Sequence, residues 1–389
     1  MTGMLLTMKL RLQMMMRNTR AMQARIVRHR VVVFSFLAIA IILFAFYGLS
    51  DEQIYNDDIE MTKVEDANDK DTTVNSNSAA KVRGTPADEF SDVEYPQVEN
   101  LIILPCHAIF APELNRAVSD YGDDRFAIGQ DPANWLMEPF QRESDDHISF
   151  FKHIELALYE LHENIGNSAL VFSGGYTKPA IELSEAASYV DLARKVGFLR
   201  SPYFRTGTNI LVEEYARDSY ENVLYSMCVF YKRFGKLPKK ITIVGFGFKR
   251  ERFLSSHLVT LGYYSLPAID GTIGQLPDTK HVKYIGAGPF LPEDADETYK
   301  ENFWKSLKQS ELKNALQPFR ENPFGSMRSI LHDKKLKRDP WNKHSEVKNV
   351  YAKLGSEVLT TLISLDDLEF KDAWALYEKS VLPEFPLYE

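Results

Sequence analysis

The sequence predicts an α/β fold: a Rossmann-like, open and mostly parallel sheet with helices on both faces, plus an N-terminal transmembrane helix and a helical C-terminal extension. The sheet is predicted by short apolar runs that alternate with segments in which apolar residues recur every three or four positions. The transmembrane helix is predicted by a separate run of twenty residues without a charge.

Four short apolar runs have the composition of strands that are covered on both faces of a sheet. They are residues 101–104, 169–172, 209–212 and 241–244. Each is followed by a segment with helical spacing, and these segments are residues 148–161, 183–193, 218–234 and 254–261. We expect a fifth strand near residues 264–269. Right-handed crossovers between these strands give a parallel sheet.

Two regions fit this pattern less well. Residues 109–146 have no clear period, and we interpret them as an ordered insertion with Trp135 and Phe140 as anchors. Beyond Gly271 we expect a helix at residues 297–316 and a final helix at residues 362–379, with a solvated basic run at residues 334–338 between them. The predicted domains are therefore residues 98–270 for the sheet and 271–389 for an extension packed on it.

The first 97 residues have the pattern of a membrane anchor. Residues 31–50 would form a helix about 30 Å long, which matches the hydrocarbon core of a bilayer. Residues 1–30 hold seven basic residues and no acidic one, and the acidic residues 51–97 cannot bury enough apolar surface to fold. This asymmetry predicts a cytosolic N-terminus and a lumenal C-terminal domain in the endomembrane system. The alternative is a mitochondrial presequence followed by an inner-membrane anchor.

Composition excludes some function classes. The net charge is −8, and without the basic first thirty residues the remainder is more acidic still, so the domain lacks the positive surface that binds nucleic acid. No spaced Cys or His cluster predicts a metal site, and no motif specifies a cofactor. Cys106 and Cys228 could pair in an oxidising compartment or remain buried thiols.

Polar and charged residues gather where each predicted strand ends and the next helix begins. Because the carboxyl ends of parallel strands meet at one edge of a sheet, we expect these residues to form one ligand site. The predicted catalytic residues are His107 and Glu213. The predicted ligand-binding residues are Ser173, Gly174, Gly175, Glu185, Asp218, Ser219, Asn222, Lys249 and Arg252.

The strongest indication of a ligand is the group of cations at the start of the predicted helix at residues 254–261. Lys249 and Arg252 oppose the helix dipole there unless they share an anion, whereas Arg250 is interpreted as a solvated residue. Gly174 and Gly175 would turn their N–H groups toward the same anion or simply form a tight turn. We therefore expect an anionic small molecule as the ligand.

The remaining residues offer several chemistries. Glu185, Glu213 and Asp218 could bind hydroxyl groups, hold a cation brought by the ligand, or act as a general base, and Asp218 also suits a helix cap. Ser219 and Asn222 fall on a first helical turn. His107 follows the first strand directly and is the acid–base candidate.

The order of these motifs resembles a known family. Strand-Ser-Gly-Gly, Ser-Glu-Ala, Glu-x-x-Ala-x-Asp-Ser-x-Glu-Asn and Phe-Lys-x-x-Arg-Phe together are similar to domain of unknown function 218, the YdcF-like or SanA-like family, over residues 101–269. The resemblance implies a Rossmann-like domain, often membrane-anchored, without a settled activity. Bacterial members commonly have a glycine after the first strand and a histidine before x-x-Arg, where this chain has Pro105-Cys106-His107 and Lys249.

Three functions agree with these observations. The first is an enzyme, a hydrolase or transferase, that acts on a phosphorylated, nucleotide-like or sugar-phosphate molecule, which could be lipid-linked. The second is a sensor or assembly factor that binds the same kind of molecule without changing it. The third is an S-adenosylmethionine-dependent methyltransferase, which is disfavoured because Ser173-Gly174-Gly175 replaces the acidic residue expected to hold a ribose.

Overall fold

The computed structural model describes residues 97–114, 128–264, 279–291, 294–351 and 353–387. The predicted transmembrane segment at residues 31–50 lies outside these residues, and so does the acidic segment 51–97 except for Gln97. Among the helices that are described, none combines the length and the apolar character needed to cross a bilayer.

Five parallel strands form the main sheet, and a two-stranded antiparallel ribbon accompanies it. The strands are β1 Asn100–Pro105, β2 Ile109–Phe110, β3 Trp135–Leu136, β4 Ser168–Ser173, β5 Ile210–Glu213, β6 Lys240–Gly245 and β7 Val282–Gly286. In the main sheet the order is β5-β4-β1-β6-β7. From β1 the chain adds β4 and β5 on one side of the sheet and then crosses back to add β6 and β7 on the other side. This change of side between β1 and β6 is typical of doubly wound sheets, so the topology fits a Rossmann-like fold.

Eleven α-helical segments occur in the described residues. They are α1 Pro139–Glu143, α2 Asp146–Glu163, α3 Glu185–Lys195, α4 Ser219–Phe234, α5 Arg250–Arg252, α6 Glu297–Glu311, α7 Gln317–Glu321, α8 Ile330–Lys337, α9 His344–Tyr351, α10 Glu357–Ser364 and α11 Phe370–Ser380. π-Helical turns extend two of them, Phe253–Leu258 after α5 and Leu312–Leu316 after α6. Short 3-10 turns are Pro112–Leu114, Pro132–Asn134, Phe198–Arg200, Gly247–Lys249, Thr279–His281, Leu365–Asp367 and Leu382–Glu384.

Helices cover both faces of the sheet, which explains why its strands are continuously apolar. On one face α2 and α3 contribute Phe150, Ile154 and Tyr189 to a cluster with alternate residues of β1 and β4. On the other face α4 and the π-helical turn after α5 share a second cluster with α10 and α11. The C-terminal extension is therefore built into the core of the second face.

The four predicted strands and the helices between them are confirmed, and two of these helices are followed by a glycine. Gly197 follows α3 and Gly235 follows α4, and both have positive φ. The fifth strand predicted near residues 264–269 lies outside the described part except for Tyr264, which is in no strand, and the fifth strand of the described sheet is β7. The β7 sequence VKYIG has one fully buried residue, so it lacked the apolar run used to find strands.

Other expectations need correction. Phe140 is 66% exposed and anchors nothing, whereas Trp135 is buried as predicted. The final helix is two helices, α10 and α11, because a 3-10 turn at Leu365–Asp367 separates them. Cys106 and Cys228 are buried free thiols. The basic run at residues 334–338 is not uniformly solvated, since Lys335 is only 1% exposed.

Lys335 belongs to a buried ion network that joins the extension to the sheet domain. Its Nζ lies 2.7 Å from Oδ1 of Asp366 and 3.3 Å from Oε1 of Glu221. Arg217 places one guanidinium nitrogen 2.6 Å from Oε1 of Glu221 and 2.6 Å from Oδ2 of Asp366. Because Glu221 is in the first turn of α4 and Asp366 follows α10, the network fixes α4 against the extension.

Charge balances within this network. Burial opposes ionisation of Glu221, but Arg217 and Lys335 outweigh it and lower the pKa of Glu221 to about 2. Burial also opposes ionisation of Asp366, yet chiefly Lys335 holds its pKa below the usual range. Burial raises the pKa of the neighbouring Asp218 instead. Two cations therefore face two ionised carboxylates, which is the condition under which a buried ion cluster is tolerated.

Replacing Lys335 by methionine should destabilise the protein strongly. The substitution keeps most of the side-chain volume but leaves a buried carboxylate without its cation, which costs about 3 to 5 kcal/mol. Urea unfolding followed by circular dichroism would measure this loss.

The matched control is Lys337→Met in the same helix, where the side chain is exposed. Its effect should stay within about 0.5 kcal/mol. Equal stabilities of the two variants would show that the network does not hold the extension in place.

Candidate functional site

The candidate site lies at the carboxyl ends of β1 and β6, where the strand order reverses. In open α/β sheets this position leaves a crevice, because the helices that follow the two strands lie on opposite faces. His107 comes two residues after β1, and Phe246 comes directly after β6. Their ring centroids are 5.2 Å apart, so the two strand ends meet at the crevice.

His107 is held rigidly with one free ring nitrogen. Its backbone N–H donates to the hydroxyl of Tyr189 at 3.3 Å, and its carbonyl accepts from the side-chain amide of Gln141 at 3.0 Å. The ring packs near Phe150 and Phe246, and its Nε2 has no hydrogen-bond partner among the described residues. Burial, followed by the positive charge of Lys249, holds the pKa of His107 well below its usual range. The imidazole is therefore neutral and able to accept a proton.

Lys249 presents its ammonium group in the same crevice. It lies over the aromatic rings, with Nζ 4.7 Å from the centroid of Phe246 and 5.6 Å from that of Phe248. No carboxylate of the described residues lies within ion-pair distance of it. Burial, followed by the charge of Arg252, lowers the pKa of Lys249 to about 8. The group is thus still cationic at neutral pH, and an anion in the crevice would stabilise it.

Arg252 is anchored more firmly than Lys249. Its side chain is one-tenth exposed, and Nε lies 2.9 Å from Oε1 of Glu311 in α6. Nη1 donates to the hydroxyl of Ser219 at 3.1 Å. The Ser219 hydroxyl also lies 2.8 Å from Nε2 of His257, which is fully buried in the π-helical turn. Arg252 therefore connects the start of α4 to the crevice.

Glu213 lies below the crevice, and both oxygens of its carboxyl group are hydrogen-bonded within the protein. Its Oε1 accepts from the backbone N–H groups of Tyr215 at 2.6 Å and Ala216 at 3.0 Å. Its Oε2 is 2.6 Å from the hydroxyl of Ser173, which is 2.8 Å from Oδ1 of Asn222. A hydroxyl donates only one hydrogen, so both short contacts are satisfied when a protonated Glu213 donates to Ser173 and Ser173 donates to Asn222.

The pKa of Glu213 agrees with this hydrogen-bond count. Burial raises it from 4.5 to about 8, although the bonds from Ser173 and the backbone act in the opposite direction. A neutral carboxyl that is 1% exposed and fully hydrogen-bonded is not placed to take a proton from a ligand in the crevice. The catalytic role predicted for Glu213 does not fit this position, and Ser173 and Asn222 share its structural role.

Gly174 and Gly175 also serve the fold. Their N–H groups donate to the carbonyls of Glu213 at 3.0 Å and Ala216 at 2.8 Å, so neither amide is available to an anion. A Cβ atom at Gly175 would lie 2.7 Å from the carbonyl oxygen of Ala216. The close approach that requires glycine is therefore to the chain's own backbone, and the predicted role as N–H donors to a ligand does not fit.

Glu185 and Asp218 are both buried carboxylates at helix starts. Thr177 donates its hydroxyl to Oε1 of Glu185 at 2.5 Å, and burial raises the pKa of Glu185. Asp218 caps α4 as predicted, since its Oδ1 accepts from the N–H of Glu221 at 2.9 Å. Its Oδ2 has no hydrogen bond among the described residues and lies 3.7 Å from Nζ of Lys335. Asp218 thus belongs to the ion network.

Three side chains of that network have the spacing of metal ligands. Atoms of Glu221, His344 and Asp366 lie within 4.8 Å of one another. Arg217 and Lys335 already contact both carboxylates at 3.3 Å or less. A divalent cation would have to displace these two cations, so the trio is better explained as part of the ion network.

A separate apolar groove of about 1030 Å³ lies between the π-helical turn after α5 and the extension. Its walls include Val259, Phe319, Trp374, Tyr377 and Phe385. None of the residues predicted for the site lines it. The Phe319 ring stands between this groove and His257, with the two ring centroids 4.5 Å apart.

The predicted residues therefore divide into two layers. His107, Lys249, Arg252 and Ser219 form the upper layer, and the charges of Lys249 and Arg252 both lower the pKa of His107. The lower layer supports it and contains Ser173, Gly174, Gly175, Glu185, Glu213, Asp218 and Asn222. The pattern at strand ends identified both layers but could not separate them, because exposure at a sheet edge depends on the loops above it.

Two residues of the upper layer were missed. His257 is the one titratable residue in the otherwise uncharged stretch FLSSHLVTL, and that isolation was the available signal. Arg338, beyond α8, was counted among solvated residues. Its Nη1 donates to the carbonyl of Arg217 at 3.1 Å, and its charge lowers the pKa of both His107 and Glu185. No local sequence pattern connects it to the sheet edge.

Comparison with known proteins gives one curated relative. No protein-family model matches the chain, and no solved structure matches it. The uncharacterized protein YOR238W of Saccharomyces cerevisiae is 30% identical over 287 residues, which cover 65% of this chain and 88% of the yeast protein. The similarity therefore spans most of the relative.

Replacing Glu213 by glutamine should make the free energy of unfolding depend less on pH. A folded-state pKa near 8, above the ordinary 4.5, favours the folded state at low pH, and this contribution is lost as pH rises through about 8. Between pH 6 and pH 8.5 the wild type should lose about 2.5 kcal/mol relative to Glu213→Gln, which mimics the protonated acid. Urea midpoints at the two pH values would measure the difference.

The buried histidines are common to both proteins and cancel in this comparison. Glu214→Gln, one residue further along the chain, serves as the control and should keep the wild-type pH dependence. Parallel pH profiles for the wild type and Glu213→Gln would show that Glu213 is ionised in the folded protein.

Proposed function

The chain belongs to the same family as the uncharacterized yeast protein YOR238W, and we propose that it binds a phosphorylated small molecule in the crevice between β1 and β6. The ligand is nucleotide-like, a sugar phosphate or a lipid-linked phosphate, and the protein acts on it as a hydrolase or transferase. The order of its motifs supports membership of the domain of unknown function 218 family as part of this proposal.

The observation that carries the proposal is the unpaired ammonium group of Lys249. A buried or half-buried cation is normally paired, because desolvation without a partner is unfavourable. Lys249 instead lies over two aromatic rings and beside the like charge of Arg252. A phosphate between them would relieve this repulsion and gain charge-assisted hydrogen bonds of about 1.5 to 3 kcal/mol each.

His107 supplies the acid–base function of the proposed enzyme. Its Nε2 is unpartnered and its ring is neutral, so it can accept a proton from water or from an acceptor hydroxyl during phosphoryl transfer. Burial is the main cause of the low pKa of His107, and two of the cations that lower it further, Lys249 and Arg252, are the ones that would hold the phosphate. Binding of the anion would offset their charge and raise the pKa of His107, which strengthens it as a base at the moment when it is needed.

The alternative is a non-catalytic sensor or assembly factor. It is favoured by the lower layer of the site, where the carboxyl groups of Glu213 and Glu185 are already hydrogen-bonded within the protein and are not free to act on a ligand. A methyltransferase is less well supported, since Ser173 and the two glycines after it provide no carboxylate for a ribose.

We further propose that residues 31–50 anchor the protein in a membrane as a single span, with the N-terminus in the cytosol and the C-terminal domain in the lumen of the endomembrane system. The basic residues 1–30 and the acidic residues after the span support this orientation. Insertion in the mitochondrial inner membrane is the alternative.

Protease treatment of sealed microsomes that contain the full chain should leave the C-terminal domain intact, because the membrane would shield it. An antibody against the C-terminal end would detect a fragment slightly smaller than the full chain, and detergent would abolish this protection. Digestion of the domain in intact microsomes would contradict the orientation.

Phosphate-containing ligands should raise the unfolding temperature of the purified full-length protein. A suitable panel consists of inorganic phosphate, pyrophosphate, nucleotides, sugar phosphates, prenyl phosphates and S-adenosylmethionine. A ligand present at a hundred times its dissociation constant stabilises the folded state by about 2.7 kcal/mol. Lys249→Met should weaken binding of the stabilising ligand by about tenfold to a hundredfold, which corresponds to one charge-assisted bond.

Arg250→Met is the matched control, because Arg250 is adjacent in sequence and exposed. It should bind as the wild type does. Equal affinities of the Lys249 and Arg250 variants would place the ligand elsewhere. Turnover of the bound ligand that is lost in His107→Asn distinguishes the enzyme from the sensor, for which binding occurs without turnover.

A further inference from the structure

We propose that Ser219 is the nucleophile of this protein and that it forms a covalent phosphoseryl intermediate, with His257 as its proton acceptor. This step rests on the proposed function, because a phosphoryl group has to be bound beside Arg252. It identifies the substrate class as phosphate esters or anhydrides and adds a catalytic pair that the strand-end pattern does not contain.

The geometry around the Ser219 hydroxyl is that of an activated nucleophile. Its Oγ lies 2.8 Å from Nε2 of His257 and 3.1 Å from Nη1 of Arg252. A guanidinium group only donates hydrogen bonds, so Arg252 occupies a lone pair of Oγ and leaves the serine hydrogen free to point to His257. This is the hydrogen-bonded pair of hydroxyl and base that activates serine in enzymes.

Two positive potentials lower the energy of the serine alkoxide. One is the Arg252 guanidinium itself. The other is the N-terminus of α4, a helix of sixteen residues in which Ser219 is the first residue. Ser219 is partly exposed, whereas His257 is fully buried behind it. A phosphoryl group can therefore reach Oγ from the crevice, and the base is shielded from water.

The environment of His257 keeps it neutral and aimed at the serine. Its ring is fixed by Phe319, with centroids 4.5 Å apart, and by Phe253 at 5.3 Å. Its Nδ1 is buried and has no hydrogen bond among the described residues. The π-helical turn Phe253–Leu258 carries this histidine, and such turns are frequent at functional sites.

The chemistry balances with these groups alone. Oγ of Ser219 attacks phosphorus, the bond from phosphorus to the leaving oxygen breaks, and the serine proton passes through Nε2 of His257 to that oxygen. In the second half a water or an acceptor hydroxyl attacks the phosphorus of the phosphoseryl group, the bond from phosphorus to Oγ breaks, and the proton of the attacking group passes through Nε2 of His257 back to Oγ. No redox change occurs, and Arg252 neutralises the charge that develops on the phosphoryl oxygens.

A fluorophosphonate reagent tests the nucleophile without knowledge of the natural substrate. Serine attack forms an oxygen–phosphorus bond and expels fluoride, and the adduct is stable enough for intact-protein and peptide mass spectrometry. With the full-length protein we expect one adduct, on Ser219. Ser219→Ala should carry none, and His257→Phe, which keeps an aromatic ring in the same apolar surroundings, should react about a hundredfold more slowly.

Ser255→Ala is the matched control, since Ser255 is a partly exposed serine on the same helical segment as His257. It should be labelled at the wild-type rate. Unfolding temperatures of all variants, measured beside the labelling rates, identify any variant that fails to fold. His257→Gln, which restores a hydrogen-bonding group toward Ser219 but no base, should fold and still label slowly, and normal labelling of this variant would overturn the role of His257.

The outcomes separate this inference from the proposed function. If pyrophosphate or another phosphorylated ligand stabilises the wild type but no adduct forms on folded protein, the nucleophile is wrong and the binding function stands. If the adduct forms on Ser219 but no phosphorylated ligand binds, the activated serine is supported and the phosphoryl substrate class is overturned. Labelling that spreads over several serines and persists in Ser219→Ala also overturns the inference.

Discussion

The ion network of Arg217, Glu221, Lys335 and Asp366 is the interaction on which the arrangement of the site depends. It lies directly beside Asp218 and Ser219, at the start of α4, and its contacts reach from the sheet domain to the extension. Two helices of the extension, α8 and α10, end near it. These ion pairs act together with the packing of Tyr220 against Phe324 to fix the first turn of α4, from which the Ser219 hydroxyl reaches Arg252 and His257.

The network also determines which charges reach the crevice. Lys335 points inward, and the carboxylates of the network balance its positive charge. Arg338, one helical turn further along the chain, is exposed and contributes to the positive potential at His107. The same short basic run therefore performs two tasks. One cation stabilises the packing of the extension, and the other adds to the potential that would attract an anion. The extension is thus part of the site as well as part of the core.

The sequence predicted the sheet well because apolar runs and helical stripes are local patterns. β1, β4, β5 and β6 are buried on both faces, and this burial is visible in each run alone. β7 was missed because it is an edge strand with exposed and half-buried residues, so its composition does not differ from that of a loop. The break between α10 and α11 was missed because apolar residues continue through the 3-10 turn at the spacing of a helix.

The predicted site residues follow the ends of neighbouring strands, as the sequence pattern indicated, but they differ in burial. Ser173 and Glu213 lie opposite each other at the ends of β4 and β5 and are hydrogen-bonded, whereas His107 follows β1. Whether such a residue faces a ligand or a neighbouring backbone depends on loops and on the extension, and Glu213 was assigned a catalytic role that its three hydrogen bonds rule against. His257 comes from the interior of a helix and reaches Ser219 through tertiary packing across 38 residues of sequence, a relation that no local pattern records.

The protonation of the acids in the lower layer determines how much positive charge the upper layer presents at the crevice. Below the crevice burial raises the pKa of both Glu185 and Glu213, and Glu213, whose pKa is about 8, contributes little negative charge near neutral pH. Above them Lys249, Arg252 and Arg338 repel one another, and Glu311 is the carboxylate that pairs with Arg252. If the lower acids were ionised they would neutralise this potential and no anion would be needed. Because burial keeps Glu213 neutral, positive charge remains in excess at the crevice, which supports the proposed phosphorylated ligand.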